Sequence, residues 1–444
     1  MNSIAREEAL QDLETKLKSF PIVGILGPRQ CGKTTLAKKF INNQSKKKTY
    51  FFDLENPRDL SKLENPLLNL ENLEGYVIID EVQRLPEIFP ILRVLADRVS
   101  KKTKFVLLGS ASPLLIKNLY KGTARKRTSS RLRRTNDRSV LRVHEDHKDD
   151  ENAEIEDCDQ SPETLAGRIA FIELRGFGIE TFTKLKKTSH KSEQLDISKL
   201  WLRGGFPRSY LSSSIKDSYE WRENFIETFL ERDIPNLGIN IPARTLRQFW
   251  TMLSHYHGQI INASELARSM NLSSPTIQRY LDILSGTFII RQLQPWFYNA
   301  KKRIIKSPKI YLRDSGLLHV FLSIDSKTAL NGHPKLGASW EGFALEEFIS
   351  FHKLGEQECF FWGLHTGAEL DLVFQKSGKL YGLEVKYSDA PKMTKSMHSA
   401  LAELNLEKLL VLYPGKDAYK LDKKIEVIGI EALSALNLKT ALKH

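Results

Sequence analysis

The chain has 444 residues, a hydrophobic fraction of 41% and a net charge of +13 at pH 7, with a pI near 9.3. That length exceeds one ordinary core and calls for roughly two to four domains, and the hydrophobic fraction is ample to fill them. Three widely separated cysteines, Cys31, Cys158 and Cys359, exclude a disulfide framework and a cysteine zinc site, and no apolar run reaches membrane-spanning length. The expectation is a soluble protein of the reducing cytoplasm with no membrane partner; the basic balance points to an anionic partner such as DNA, or to a merely solvated basic surface.

The first segment, Met1 to Lys18, is charged and helix-like and has no apolar signal core. An apolar run, Pro21 to Leu26, then predicts a buried strand that enters Gly27-Pro28-Arg29-Gln30-Cys31-Gly32-Lys33-Thr34. This stretch fits the phosphate-cradling pattern G-x-x-x-x-G-K-[ST] without mismatch. Two glycines let the backbone turn so that successive N–H groups converge on phosphate oxygens, while the helix expected from Thr34 to Ile41 presents its positive end to them. The chemistry calls for ATP and Mg²⁺: Lys33 reaching the β and γ phosphates, Thr34 on the metal, and the loop residues together with Thr35 around the nucleotide.

A second apolar run, Tyr76 to Ile79, ends in Asp80-Glu81, which reads as a parallel strand with acids at its carboxyl end. Asp80 is expected to position Mg²⁺ and Glu81 to polarise the attacking water. A third strand, Phe105 to Gly109, runs into Ser110-Ala111-Ser112, where Ser110 is either a sensor of the γ-phosphate or a helix N-cap. From about Tyr120 to Pro162 the pattern dissolves into a basic block followed by an acidic one, which reads as a disordered insertion tolerated in a surface loop or as a nucleic-acid-binding arm. Leu165-Ala166-Gly167-Arg168 precedes the strand Ile169 to Leu174, and Arg168 is either the arginine that stabilises transferring charge, in cis or from a neighbouring subunit of a homo-oligomer, or one arm of a structural salt bridge.

A polar connector, Lys184 to Glu193, leads to helical segments from Ile197 to Leu230, interrupted by a tight turn at Arg203-Gly204-Gly205-Phe206-Pro207. Ile260 to Trp296 has the pattern of a winged helix: a first helix Ser264 to Met270, a turn Asn271 to Ser273, a recognition helix N-capped by Ser274 with Pro275 in its first turn, and a wing strand Phe288 to Leu293. Thr276, Gln278 and Arg279 face the major groove if the module reads DNA; as a protein adaptor it needs none of them. The last third alternates a helix, Ala338 to His352 with Glu341, Glu346 and Glu347, with strands Cys359 to Leu364, Ala368 to Phe374 and Lys379 to Tyr387. Asp371 lies on one strand, and Glu384 and Lys386 share a face of the next, a set suited to Mg²⁺-dependent phosphodiester hydrolysis with Asp371 and Glu384 on the metal.

These motifs, with Gly204-Gly205-Phe206-Pro207, Asp314-Ser315-Gly316-Leu317 and Gly367-Ala368-Glu369-Leu370-Asp371, make the chain resemble the bacterial and archaeal AAA-type ATPases that join an N-terminal P-loop domain to a C-terminal domain of the restriction-endonuclease-like fold. The resemblance implies an α/β fold: a P-loop parallel sheet over 1–183 with the charged insertion at about 120–162, a helical lid over 194–235, a winged helix over 236–300 and a nuclease-like α/β domain over 301–444. It implies ATP binding and hydrolysis beside DNA, or a nucleotide-controlled switch whose nuclease-like domain is catalytically silent and engages a protein partner. The resembled proteins lack the charged tract, which marks it as inserted.

Overall fold

The structure is a computed structural model that describes residues 6–45, 47–98, 103–116, 165–182, 195–296, 306–365 and 367–435. The charged tract and the polar connector lie outside the described residues.

Five strands, β1 (Ile22–Leu26), β2 (Thr49–Asp53), β3 (Gly75–Asp80), β4 (Thr103–Gly109) and β5 (Ile169–Glu173), form a sheet in the order β2-β3-β4-β1-β5. All neighbours are parallel, with Ile22 opposite both Phe105 and Ile169. Strands buried on both faces need apolar residues at every position, and β1 is buried throughout. In β3 the alternation sends Tyr76 and Ile78 to one core and Val77 and Ile79 to the other. Leu10, Leu13 and Leu17 of the helix Glu7–Ser19, with Leu36 and Phe40 of the helix Lys33–Asn42, cover the first face. The opposite core continues without a break through Phe177, Trp201, Phe206 and Phe229 into the rest of the chain.

The second sheet has nine strands: β6 (Gln259–Ile260), β7 (Ile290–Pro295), β8 (Lys309–Leu312), β9 (Cys359–Gly363), β10 (Glu369–Lys376), β11 (Lys379–Val385), β12 (Lys408–Tyr413), β13 (Ala418–Asp422) and β14 (Ile425–Gly429). Their order is β13-β14-β12-β11-β10-β9-β7-β8-β6, with mixed directions. The helices Ala263–Met270 and Ser274–Gly286 pack together ahead of the antiparallel ribbon β7–β8. Strand β7 then pairs in parallel with β9, Gln294 opposite Phe360, so the boundary expected at 300/301 falls inside one continuous sheet.

Local chemistry moves two expected boundaries. Ser273, not Ser274, caps the second of those helices, its Oγ accepting from the Thr276 N–H at 3.3 Å, which leaves Pro275 in the first turn where its missing N–H costs nothing. Phe288 has a left-handed φ of 63° that ends the helical path, and the wing strand therefore begins at Ile290.

Candidate functional site

Ligands of parallel sheets gather outside the carboxyl ends of the strands, and five of the expected residues, Lys33, Thr34, Asp80, Glu81 and Ser110, meet there. Gly27 has a φ of 154°, and a Cβ on it would lie 2.0 Å from the Leu174 carbonyl oxygen; Gly32, at φ 102°, turns the chain into the helix Lys33–Asn42. Both conformations are open to glycine and strained for other residues. Lys33 is buried, and its Nζ folds back over the loop, donating to the carbonyls of Gly27 at 2.9 Å and Pro28 at 2.8 Å. Those bonds hold the ammonium against the backbone of the loop. The buried Cys31 Sγ donates to the Leu174 carbonyl, which ties the loop to the end of β5.

Thr34 Oγ1 donates to Asp80 Oδ2 at 2.6 Å. Burial pushes the Asp80 carboxyl up to about 6; the Thr34 bond and the Lys33 charge oppose this and Glu81 adds to it. A hydroxyl and a desolvated carboxylate side by side are hard oxygen donors of the kind Mg²⁺ takes, and the raised pKa marks a site short of positive charge, so these residues fit the metal that accompanies a nucleotide triphosphate. Next to it, Glu81 holds a left-handed φ of 54°, an uncommon state for a non-glycine residue and one that recurs at functional positions. Its carboxylate accepts from Gln83 Nε2 and, at 3.2 Å, from Ser110 Oγ, while Gln83 also donates to Ser110 Oγ at 2.9 Å. Ser110 therefore belongs to the site, and the capping role falls to Ser112, whose Oγ accepts from the Leu115 N–H.

Arg168 does not join it. It stands before β5, where its carbonyl accepts from the Ile22 N–H, at the opposite end of the parallel sheet from the loop, and its guanidinium is paired with Asp97 at 2.5 and 2.8 Å. With about 3.3 Å per residue along β1 the separation is on the order of 15 Å, so the cis role expected for Arg168 is excluded.

The second constellation assembles differently from expectation. Asp371 sits where the register between β9 and β10 slips, and its Oδ2 accepts from the Val385 N–H at 2.9 Å. Glu384 pairs with Lys386 at 2.5 Å, and its other carboxylate oxygen is buried without a partner. Of the three helix glutamates, Glu341 is the one that reaches this cluster. However, the buried ammonium of Lys309 stands among the acids, 3.5 Å from Glu341 and 3.4 Å from Asp371 and in contact with Glu369. Tyr311 adds a 2.6 Å bond to Glu341. Burial, with Asp371 alongside, raises both Glu341 and Glu384, and Lys309 or Lys386 counters it. Among the described residues no three acidic, histidine or cysteine side chains converge as a metal site. Lys309 supplies the counter-charge for Glu341, Glu369 and Asp371, whereas Glu384 meets only the Lys386 ammonium and keeps one buried oxygen without a partner.

Glu346 and Glu347 serve the junction between the two sheets. Arg175, just beyond β5, bonds the Glu346 carbonyl at 2.6 Å and its carboxylate at 3.2 Å, and reaches Glu347 at 3.4 Å. Arg291 and Arg313 also hold Glu346. Burial alone would raise that carboxyl; the three guanidiniums hold it well below its ordinary range.

Several of these residues carried no motif. Lys309 and Tyr311 share one face of a short strand, so the period of two was the available signal. Asp233, which bonds Arg29 across 204 positions, had no local signal beyond the Pro235 that follows it.

A parallel sheet with this loop and these strand-end acids defines a P-loop ATPase domain of the AAA type, and a family model described as AAA domain matches residues 19–136. Two models described as domains of unknown function match residues 194–328 (DUF8612) and 336–433 (DUF4143). Uncharacterized proteins of Mycobacterium tuberculosis and Mycobacterium bovis are each 41% identical over 430 residues, covering 97% of this chain and 85% of theirs. The chain belongs to the family of these mycobacterial proteins. Among solved structures, a Walker-type ATPase of Pyrococcus abyssi aligns with 72% of this chain and 96% of its own at 16% identity, with a TM-score of 0.42. No helix among the described residues is long and apolar enough to cross a membrane.

Proposed function

We propose that the protein binds ATP with Mg²⁺, hydrolyses it at the strand ends of the five-stranded sheet, and uses the nucleotide state to control its second sheet. The observation that carries this reading is the convergence of Lys33, Thr34, Asp80, Glu81 and Ser110, brought together from the phosphate loop and the ends of two strands. Lys33 holds the β and γ phosphates, Thr34 and Asp80 hold the metal, and Glu81, oriented by Gln83 and Ser110, takes the proton of the attacking water. Bound there, the metal neutralises charge on the phosphate oxygens. Control of the second sheet follows from the contacts at the junction, where Arg175 joins β5 to Glu346 and Glu347 on the helix Leu336–Phe351. That helix also carries Glu341, so a shift of β5 is felt at the Lys309 cluster.

The partner class that suits the helix pair Ala263–Met270 and Ser274–Gly286 is DNA. Gln278 and Arg279 are exposed on the second helix and Thr276 is half-buried beside them. The cluster around Lys309 acts in this reading as a charge-compensated binding platform that cuts nothing, the switch form of the function. ATP turnover by the purified chain, with Lys33→Ala as control, tests the core of the proposal. Turnover lost in the variant is the expected result, and equal turnover in both would remove the hydrolysis reading.

A further inference from the structure

With Arg168 remote, the hydrolysis site described above still needs a cation for the charge that builds on the transferring phosphoryl group. Two arginines near the loop are committed elsewhere. Arg6 donates to the carbonyls of Arg175 at 2.5 Å and Cys31 at 2.7 Å and lies over the Phe177 ring, and Arg175 is spent on Glu346 and Glu347. Arg29 is different. It belongs to the phosphate loop itself, between the two turning glycines, and among the described residues it is the cation paired with Glu81, at 3.8 Å.

Three carboxylates compete for this one guanidinium. Nη1 bonds Asp233 Oδ1 at 2.5 Å, while Nη2 bonds Glu55 Oε1 at 2.9 Å and faces Glu81. The Arg29 side chain keeps only 16% of its surface exposed and that of Asp233 6%. Asp233 comes from outside the parallel sheet, at the end of a π-helical turn, Phe229–Asp233, that interrupts the path from Ile215–Thr228 to Ile234–Asn236. Pro235 explains the turn, since it has no N–H to continue the α-helical ladder and its ring crowds the preceding turn. A π-turn inserts one residue's worth of rotation, and such turns concentrate at functional sites. Here the rotation aims Asp233 at the phosphate loop, a contact bridging 204 positions of sequence.

We infer that Arg29 is the catalytic arginine of ATP hydrolysis, supplied in cis by the phosphate loop, and that Asp233 is the positioning residue that holds its guanidinium beside Glu81. In the reaction the water oxygen bonds to the γ-phosphorus as the bond from that phosphorus to the β–γ bridging oxygen breaks. The electron pair leaves with ADP, and the water proton passes to the Glu81 carboxylate and from there to the released phosphate. Arg29 donates N–H bonds to the γ-phosphoryl oxygens as their charge grows, exchanging Glu55 for phosphate while Asp233 keeps one edge of the fork fixed. Because Asp233 lies on the helical segment that packs against the helix Ala243–His255, a partner that moves this segment sets the rate of hydrolysis through one ion pair.

This assignment rests on the hydrolysis reading, and the test separates the two. On the full-length chain, ATP affinity, kcat and binding of ADP with aluminium fluoride, which mimics the transferring phosphoryl group, are measured for wild type, Arg29→Ala, Arg29→Lys and Asp233→Asn. Arg29→Ala is expected to lower kcat by about 10²-fold or more, to change ATP affinity by less than about fivefold, and to lose the fluoride complex, with guanidinium ion restoring part of the rate. Arg29→Lys, which keeps charge but not the fork, is expected to stay near the alanine variant, and Asp233→Asn to lose about tenfold in kcat with ATP affinity retained. Wild-type turnover that Arg29→Ala preserves, or a fall in kcat matched by an equal fall in ATP affinity, overturns the assignment and leaves hydrolysis standing. A wild type that turns over no ATP overturns both.

Discussion

Asp80→Asn puts the electrostatics of the nucleotide site to a quantitative test. The fold raises this carboxyl from 3.8 to about 6, chiefly by burial. Between those two values the folded chain binds more protons than the unfolded one, so the stability of the fold falls as pH rises through the window and stays low above it. Integrated, the cost of ionising Asp80 in the fold is about 0.5 kcal/mol at pH 4 and about 3 kcal/mol at pH 7.5. Asparagine imitates the protonated acid in shape and carries no charge. The variant is therefore expected to be more stable than wild type by about 3 kcal/mol in urea unfolding at pH 7.5, and by a few tenths at pH 4, while losing metal-dependent ATP turnover. The gain is the reverse of the usual effect of a buried substitution, and it follows from a site built to await a cation. Equal stability of the two proteins at pH 7.5, or a difference that does not grow between pH 4 and 7.5, would refute the reasoning.

Three further outcomes follow from the second sheet. Glu346→Gln leaves Arg175, Arg291 and Arg313 facing a neutral amide, and a loss of about 3–5 kcal/mol in unfolding free energy is expected, read by urea titration at pH 7. Lys309→Ala frees Glu341, Glu369 and Asp371 of their shared cation; the wild type should show no Mg²⁺-dependent cleavage of single- or double-stranded DNA, and the variant should gain a measurable Mg²⁺ affinity by calorimetry. Cleavage by wild type that Asp371→Ala abolishes would restore the nuclease reading. Arg279→Ala is expected to weaken DNA binding severalfold and to lower the slope of log affinity against log salt by about 1 if the side chain meets phosphate; an unchanged affinity would point to a protein partner for this helix.

Much of this was legible along the chain because it depends on near neighbours. The loop from Gly27 to Thr34, the strand ending in Asp80 and Glu81, and the paired Glu384 and Lys386 are local patterns, and backbone geometry turns each into a defined direction for its side chains. The residues of the acidic cluster were legible too; its chemistry was not. Whether Asp371 meets a metal or an ammonium depends on Lys309, 62 positions before it and brought in by another strand. The order of the parallel sheet likewise decided that Arg168 and the phosphate loop lie at opposite ends of β1 and β5, a relation of direction that no spacing encodes. The sequence by itself determined which side chains the molecule has to work with and which local elements carry them. Only the tertiary structure decided which charges face one another, because a guanidinium or ammonium several ångströms from a carboxylate in a desolvated site governs its proton and its ligands, and that distance is fixed by packing between segments far apart in the chain.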